Sequence, residues 1–168
     1  EKLARGVAYV PATRLEEGLV AGLSLAEHFL LARKRKGLFI DRPAARRLAQ
    51  EHIAEFNIKG TPESRVESLS GGNQQRALLA LVNRQAELLL LEQPTRGLDL
   101  ESVIYLWGKL KERCQRGASI IFASSDLDEL LRYSDRILVF FAGRISRPLE
   151  AASTTVEQLG ELIGGADG

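Results

Sequence analysis

The stretch Leu-Ser-Gly-Gly-Asn-Gln-Gln-Arg at 69–76 sets a serine and two glycines directly before a helical pattern. A helix start presents backbone N–H groups without intrahelical partners and the positive end of the helix dipole, and both attract anions. Glycines let that backbone approach a phosphate with no side chain in the way. Ser70 adds a hydroxyl donor. The competing reading is structural: Ser70 caps the helix and the glycines only make a tight loop. A second chemical signal follows at 88–99, Leu-Leu-Leu-Leu-Glu-Gln-Pro-Thr-Arg-Gly-Leu-Asp, where an apolar run ends in a carboxylate beside an amide. The amide of Gln93 cannot take up a proton near neutral pH and can only position water by hydrogen bonding.

Elements must hold these residues. Val7–Val10 reads as a short strand stopped by Pro11, and 12–23 as a polar, glycine-punctuated loop. A helix is predicted over 24–34, with Ser24 and Glu27 in a capping-box pattern, and another over 41–58, with Asp41 before Pro43. Residues 73–86 read as helix, 88–92 as a buried strand, and 102–117 as a helix closed by Gly117. The run 119–125 reads as strand, 126–133 as a short helix, 136–141 as one strand, and 142–145 as a turn into its hairpin partner. The tail from 150 carries one weak helix and a glycine-rich end. Strands alternating with helices predict βαβ units and a parallel sheet, and the fully apolar strands predict a sheet covered on both faces.

Bulk properties narrow the class. The 168 residues suit one domain or a piece of one, and 45% apolar with 27% charged residues is ordinary for a globular protein. A net charge of +1 proposes no nucleic-acid partner. Cys114 is the single cysteine, which fits a reducing compartment. The longest apolar runs fall far short of the roughly 20 residues that span a bilayer. There is no Met in the chain, position 1 included, so the sequence reads as a piece of something longer.

The two motifs in this order and spacing, with collinear flanks, resemble the ATP-binding cassette (ABC) ATPases. Leu-Ser-Gly-Gly-Asn-Gln-Gln looks like their signature motif, Leu88–Gln93 like the Walker B strand, and Gly97-Leu98-Asp99 like the D-loop. Residues 119–129 look like the switch strand and loop, with Ser125 at the switch position, and 135–145 like the closing strand pair. Residues 7–14 and 17–31 look like the Q-loop region and the start of the helical subdomain. The Asn-Gln-Gln after the glycines, the Thr-Arg-Gly after Pro94, and Ser124-Ser125 are similar to importers of simple sugars and nucleosides, in particular to the second of their two fused cassettes.

The resemblance implies an α/β fold of the P-loop NTPase type, as an incomplete cassette. Residues 1–12 would be the Q-loop strand end, 13–69 the helical subdomain, 70–148 the signature helix and Walker B half of the core, and 149–168 a C-terminal tail. It implies ATP and Mg2+ as ligands, with Ser70, Gly71, Gly72, Asn73 and Gln74 toward nucleotide and Glu92 at the Mg2+ position. It implies a second cassette bound head to tail, so that the signature motif closes the partner's ATP site. Further partners are transmembrane permease subunits and, indirectly, a solute-binding protein, on the cytoplasmic face of the cell membrane. Residues 18–29 are the candidate permease contact.

Several positions depart from the family pattern. The sequence contains no Gly-x-x-x-x-Gly-Lys-Ser/Thr loop, so this chain by itself is expected to bind ATP weakly or not at all and to be inactive. Glu92 replaces the usual Asp, Gln93 the catalytic glutamate, Ser125 the switch histidine, and Ala12 the polar Q-loop residue. Together these imply a poor ATP site beside Glu92 and an intact signature helix serving the other site. Other readings are a non-catalytic cassette that only dimerises and docks a permease, and a soluble cassette protein acting on nucleic acid, which the near-neutral charge disfavours. The remaining residues read as structural. His28 and His52 lack metal-ligand spacing, Cys114 is an idle thiol, Tyr105 and Trp107 pack against the sheet, and 32–36 is a solvated basic run. An incomplete cassette is also expected to leave part of its sheet uncovered.

Overall fold

The structure is a computed structural model that describes residues 6–32, 41–82 and 85–165. The basic run at 33–36, residues 83–84 of the expected third helix, and the last three residues of the tail lie outside the described residues. The chain divides into two compact units, Glu1–Ala123 and Ser124–Gly168.

The first unit is built on a three-stranded parallel sheet in the order β1 (Val7–Val10), β2 (Leu88–Glu92), β3 (Ser119–Ala123). The register places Ala8 beside Leu89 beside Ile120, and Val10 beside Leu91 beside Phe122. Strand side chains alternate between faces, so these six share one face. That face is the core: Ala8, Val10, Leu89 and Leu91 are buried, Leu89 completely. Trp107 closes it, meeting Phe122 edge-on with ring centroids 4.7 Å apart. The opposite face carries the row Tyr9, Leu90, Ile121, and here Tyr9 is 54% and Ile121 62% exposed. Cover on both faces, expected from the apolar strands, is therefore corrected: among the described residues one face is covered and the other open, as an incomplete cassette implies.

Helices α1 (Leu25–Leu31) and α2 (Arg42–Glu55) start where their caps dictate. The Ser24 amide donates to Glu27 Oε2 at 2.7 Å while the Glu27 amide donates to Ser24 Oγ at 3.3 Å, a complete capping box. Asp41 Oδ1 accepts from the Ala44 amide at 2.9 Å. The two helices pack together, and Phe29 stacks on His52 at 4.6 Å. His28 is buried and fully used. Its Nε2 accepts from the Val20 amide at 2.8 Å, which puts the ring proton on Nδ1, 2.8 Å from the Ser24 carbonyl.

Helix α3 (Gly71–Leu81) stops sooner than its pattern suggests. Arg113, on α4 (Leu100–Gln115), donates to the carbonyls of Leu79 at 3.5 Å and Val82 at 3.2 Å, which satisfies the end of α3 where Val82 turns extended. Tyr105 packs differently from expectation. Its ring takes the buried Arg76 guanidinium at 4.2 Å, and its hydroxyl donates to the Glu55 carbonyl at 2.9 Å.

The second unit holds α5 (Leu127–Tyr133), four two-residue strands and α6 (Val156–Gly164) around a core of Ile137, Val139, Ala151 and Leu159. The expected single strand over 136–141 is two. β4 (Arg136–Ile137) pairs with β7 (Leu149–Glu150), and β5 (Phe140–Phe141) pairs with β6 (Arg144–Ile145). The break has a side-chain cause: the Val139 amide donates to Ser146 Oγ at 2.9 Å instead of to a ladder carbonyl. The hairpin turn Ala142-Gly143 has φ of 46° and 77°, as a type I′ turn requires.

This burial contrast is testable by urea denaturation. Leu89→Ala is expected to cost about 2–5 kcal/mol, whereas Ile121→Ala, on the open face, should stay within about 1 kcal/mol. Equal losses would mean the open face is covered.

Candidate functional site

Ser70 is the N-cap of α3, with φ −62° and ψ 157°. Its Oγ accepts from the Asn73 amide at 3.5 Å and from Asn73 Nδ2 at 2.9 Å. Both acceptor positions of the hydroxyl are then used within the helix turn, and among the described residues its hydrogen is not needed by the cap. Asn73 is held in turn, since its Oδ1 accepts from the Lys59 amide at 2.7 Å. The amides of Gly71 and Gly72, at the first two helical positions, have no carbonyl one turn back to donate to. A hydroxyl and two amides thus share one exposed helix start.

Gln74 behaves differently from its neighbours. It is buried, and its Nε2 donates to the carbonyls of Val66 and Leu69, each at 3.1 Å. Its side chain supports the chain entering the helix and does not face the helix end.

The loop Gln93–Asp99 lies against this start. A Cβ on Gly72 would stand 2.6 Å from Ser102 Oγ and 3.7 Å from Asp99 Oδ2, and one on Gly71 would stand 3.9 Å from the Gly97 carbonyl. Glycine at 72 is therefore required by close approach. Asp99 caps α4, accepting from the Ser102 amide and from Ser102 Oγ, both at 2.9 Å. These bonds, the amide's first, hold its carboxyl below the usual range. The structure brings Ser70, Gly71 and Gly72 together with Gly97, Leu98 and Asp99.

Glu92 ends β2 on the open face of the sheet, exposed, with Ala123 beside it in register. Tyr9 lies on the same face, and the Glu92 carboxylate, ahead of burial, raises its phenol pKa. No cluster of three or more metal-ligating His, Cys, Asp or Glu exists among the described residues. Glu92 offers one carboxylate, which is what Mg2+ uses when substrate phosphates and waters complete its shell. Gln93 adopts φ 45° although it precedes Pro94, a strained arrangement for a non-glycine residue. It is held there because its amide donates to the Ala123 carbonyl at 2.8 Å, the Arg96 amide donates to its carbonyl at 3.1 Å, and Pro94 is fully buried.

Ser125 belongs to the second unit and is exposed. Beside it, Ser124 Oγ donates to the buried Glu129 carboxylate at 2.5 Å and accepts from the Asp126 amide at 3.1 Å. Ala12 is half-buried and brings no polar side chain.

Two residues of this region are absent from the sequence-based set. Tyr9 could have been found from strand alternation, which places it on the face of Glu92. Arg14 carries no local signal. Its Nε donates to Gln75 Oε1 at 2.8 Å and its Nη2 donates to the Arg96 carbonyl.

No family model matches the chain. It is 38% identical over 165 residues to the arabinose import ATP-binding protein AraG of Burkholderia pseudomallei, covering 94% of this chain and 33% of that protein. It is 35% identical over 170 residues to the nucleoside import ATP-binding protein NupA of Lactococcus lactis subsp. cremoris, covering 97% of this chain and 34% of that protein. The chain thus spans about a third of the length of the curated relatives it matches. Among solved structures, a dimeric ATP-binding cassette in a post-hydrolysis state bound to ADP and Pi superposes with a TM-score of 0.70 at 22% identity, covering 88% of this chain and 64% of that one. The fold is accordingly that of the ATP-binding cassette, in part. Within that class the chain is a homologue of the ABC ATP-binding proteins of sugar and nucleoside importers.

The Asp99 cap has a pH signature. A carboxyl whose folded pKa is depressed contributes stability that is present above its unfolded pKa and lost as pH falls through the folded one. Asp99→Asn should therefore flatten the acid limb of stability measured by urea titration across pH 2–6 (a range chosen around the ordinary carboxylate pKa of about 3.9). An unchanged acid limb would show that the Ser102 bonds do not hold the carboxylate.

Proposed function

We propose that this chain is the signature-helix and Walker B part of an ATP-binding subunit of an ABC importer for simple sugars or nucleosides. The observation that carries the reading is the Ser70 hydroxyl: with Asn73 occupying its acceptor sites, its hydrogen is left for an outside acceptor beside the amides of Gly71 and Gly72. Such a start suits the terminal phosphate of ATP held chiefly by a second cassette bound head to tail. Gly97, Leu98 and Asp99 would border that shared site. In this reading 13–69 acts as the helical subdomain and 70–148 as the half-core.

Glu92 would hold Mg2+ at this cassette's own site, where ATP supplies the remaining charge. Gln93 would orient a water there without taking its proton. General base catalysis typically contributes roughly 10²–10⁴-fold, so that site is slow, and turnover rests on the site that Ser70 completes. Nucleotide-driven closure would be passed through residues 18–29 to transmembrane permease subunits, which receive solute from a binding protein. Among the described residues no helix is long and apolar enough to cross a membrane, which suits a subunit docked on the permease from the cytoplasmic side.

The second reading, a non-catalytic cassette that only dimerises and docks, is favoured by the amide at Gln93 and by Ala12. One experiment separates them, ATPase turnover of the intact ATP-binding protein assembled with its permease. Ser70→Phe should reduce kcat by about 100-fold or more, and Gln93→Ala should change it by less than about threefold. Equal losses would refute the asymmetry, and no loss from Ser70→Phe would favour the docking module.

A further inference from the structure

We infer that Arg14 is a positioning residue that straps the Arg96–Gly97 peptide to the signature helix and makes the loop after β1 move with that helix. The loop forms a single π-helical turn, Arg14–Gly18, closed by the Leu19 amide on the Arg14 carbonyl at 2.6 Å. Both ends of this turn dock on α3. At one end a Cβ on Gly18 would stand 2.5 Å from Leu78 Cδ2, so a side chain there would push the Leu78 side chain aside. At the other end the Arg14 guanidinium spreads across three groups. Nε donates to Gln75 Oε1 at 2.8 Å, Nη2 donates to the Arg96 carbonyl, and Nη1 lies 3.3 Å from where a Gly71 Cβ would stand.

The chemistry of this fork is unusual. Among the described residues no ion pair involves Arg14. Burial, and then the like charge of Arg96, lower its pKa. A half-buried guanidinium facing neutral acceptors is fixed by geometry, and its planar fork holds two acceptors in one rigid arrangement where the three donors of an ammonium rotate. Its bond matters to the loop, because the Arg96 amide is tied back to the Gln93 carbonyl at 3.1 Å and the Leu98 amide to the Thr95 carbonyl at 3.0 Å. With the Arg96 carbonyl also held, the peptide entering Gly97, whose φ is 69°, has one orientation beside Gly71. Arg14 acts through the Arg96–Gly97 peptide and the helix start beside it. Its consequence for turnover rests on the reading of the α3 start as a phosphate-facing group, but its hold on the loop does not.

The test is amide hydrogen exchange on the intact ATP-binding protein. Arg14→Lys should accelerate exchange of the Arg96 and Leu98 amides about tenfold, with the Val103–Leu110 stretch of α4 unchanged. Gln75→Leu, which removes one arm of the fork, should act in the same direction by roughly threefold and serves alone if Arg14→Lys does not fold. Unchanged exchange at Arg96 and Leu98, or equal acceleration throughout α4, overturns the strap. In the intact ATP-binding protein, Arg14→Lys should lower kcat about tenfold with KM for ATP within about twofold, the pattern of lost positioning. A KM rise with unchanged kcat also overturns it. If Ser70→Phe leaves turnover intact while exchange responds as stated, the strap stands and the phosphate-facing reading falls.

Discussion

The parallel ladder β1–β2–β3 is the constraint on which the first unit depends. Parallel strands cannot be joined by tight hairpins, so helices and long loops must carry the chain from the C-terminal end of one strand back to the start of the next. Every strand therefore releases its following loop at the same edge, where ligands of open α/β sheets bind. Ala12 and Arg14 follow β1, and Glu92 ends β2. Leu89, completely buried at the centre of the middle strand, ties this arrangement to the core. Removing that register would displace the chemistry at one edge of the sheet together with the packing.

The helix start at Ser70 shows how the fold keeps a donor free. A serine at an N-cap ordinarily spends itself on the helix. Here Asn73 donates twice to Ser70 Oγ, from its amide and its side chain, and is itself fixed by the Lys59 amide. The cap is therefore satisfied as an acceptor and still available as a donor. Two glycines then allow a second loop to come in, with Ser102 and Asp99 packed where a side chain at 72 would stand. Capping and anion recognition, rival readings in the sequence, are compatible at one hydroxyl because they use its lone pairs and its hydrogen separately.

Much of this is legible in the sequence. Local signals were reliable where one residue decides an element. Ser24, Asp41 and Ser70 start helices as caps, and the apolar runs at 7–10, 88–92 and 119–123 are strands. What was not legible depends on partners far along the chain. Arg14 meets groups 61 and 82 residues away, and nothing near it marks the pairing. The end of α3 is decided by Arg113, and the split in the run 136–141 by the Ser146 hydroxyl. Tyr9 was not singled out, and only the register sets it on the open face in line with Glu92. Apolar strands predicted a doubly covered sheet because hydrophobicity alone does not say which face has a partner.

If the start of α3 faces the terminal phosphate of a nucleotide, a phosphate analogue bound there must lie against residues 70–72. Vanadate trapped in place of that phosphate cleaves the adjacent backbone under ultraviolet light, so the cut maps what touches it. In the intact ATP-binding protein incubated with Mg-ATP and vanadate, cleavage is expected at residues 70–72 of this chain and is expected to be lost in Ser70→Phe. Trapping of vanadate with every cut elsewhere would contradict it.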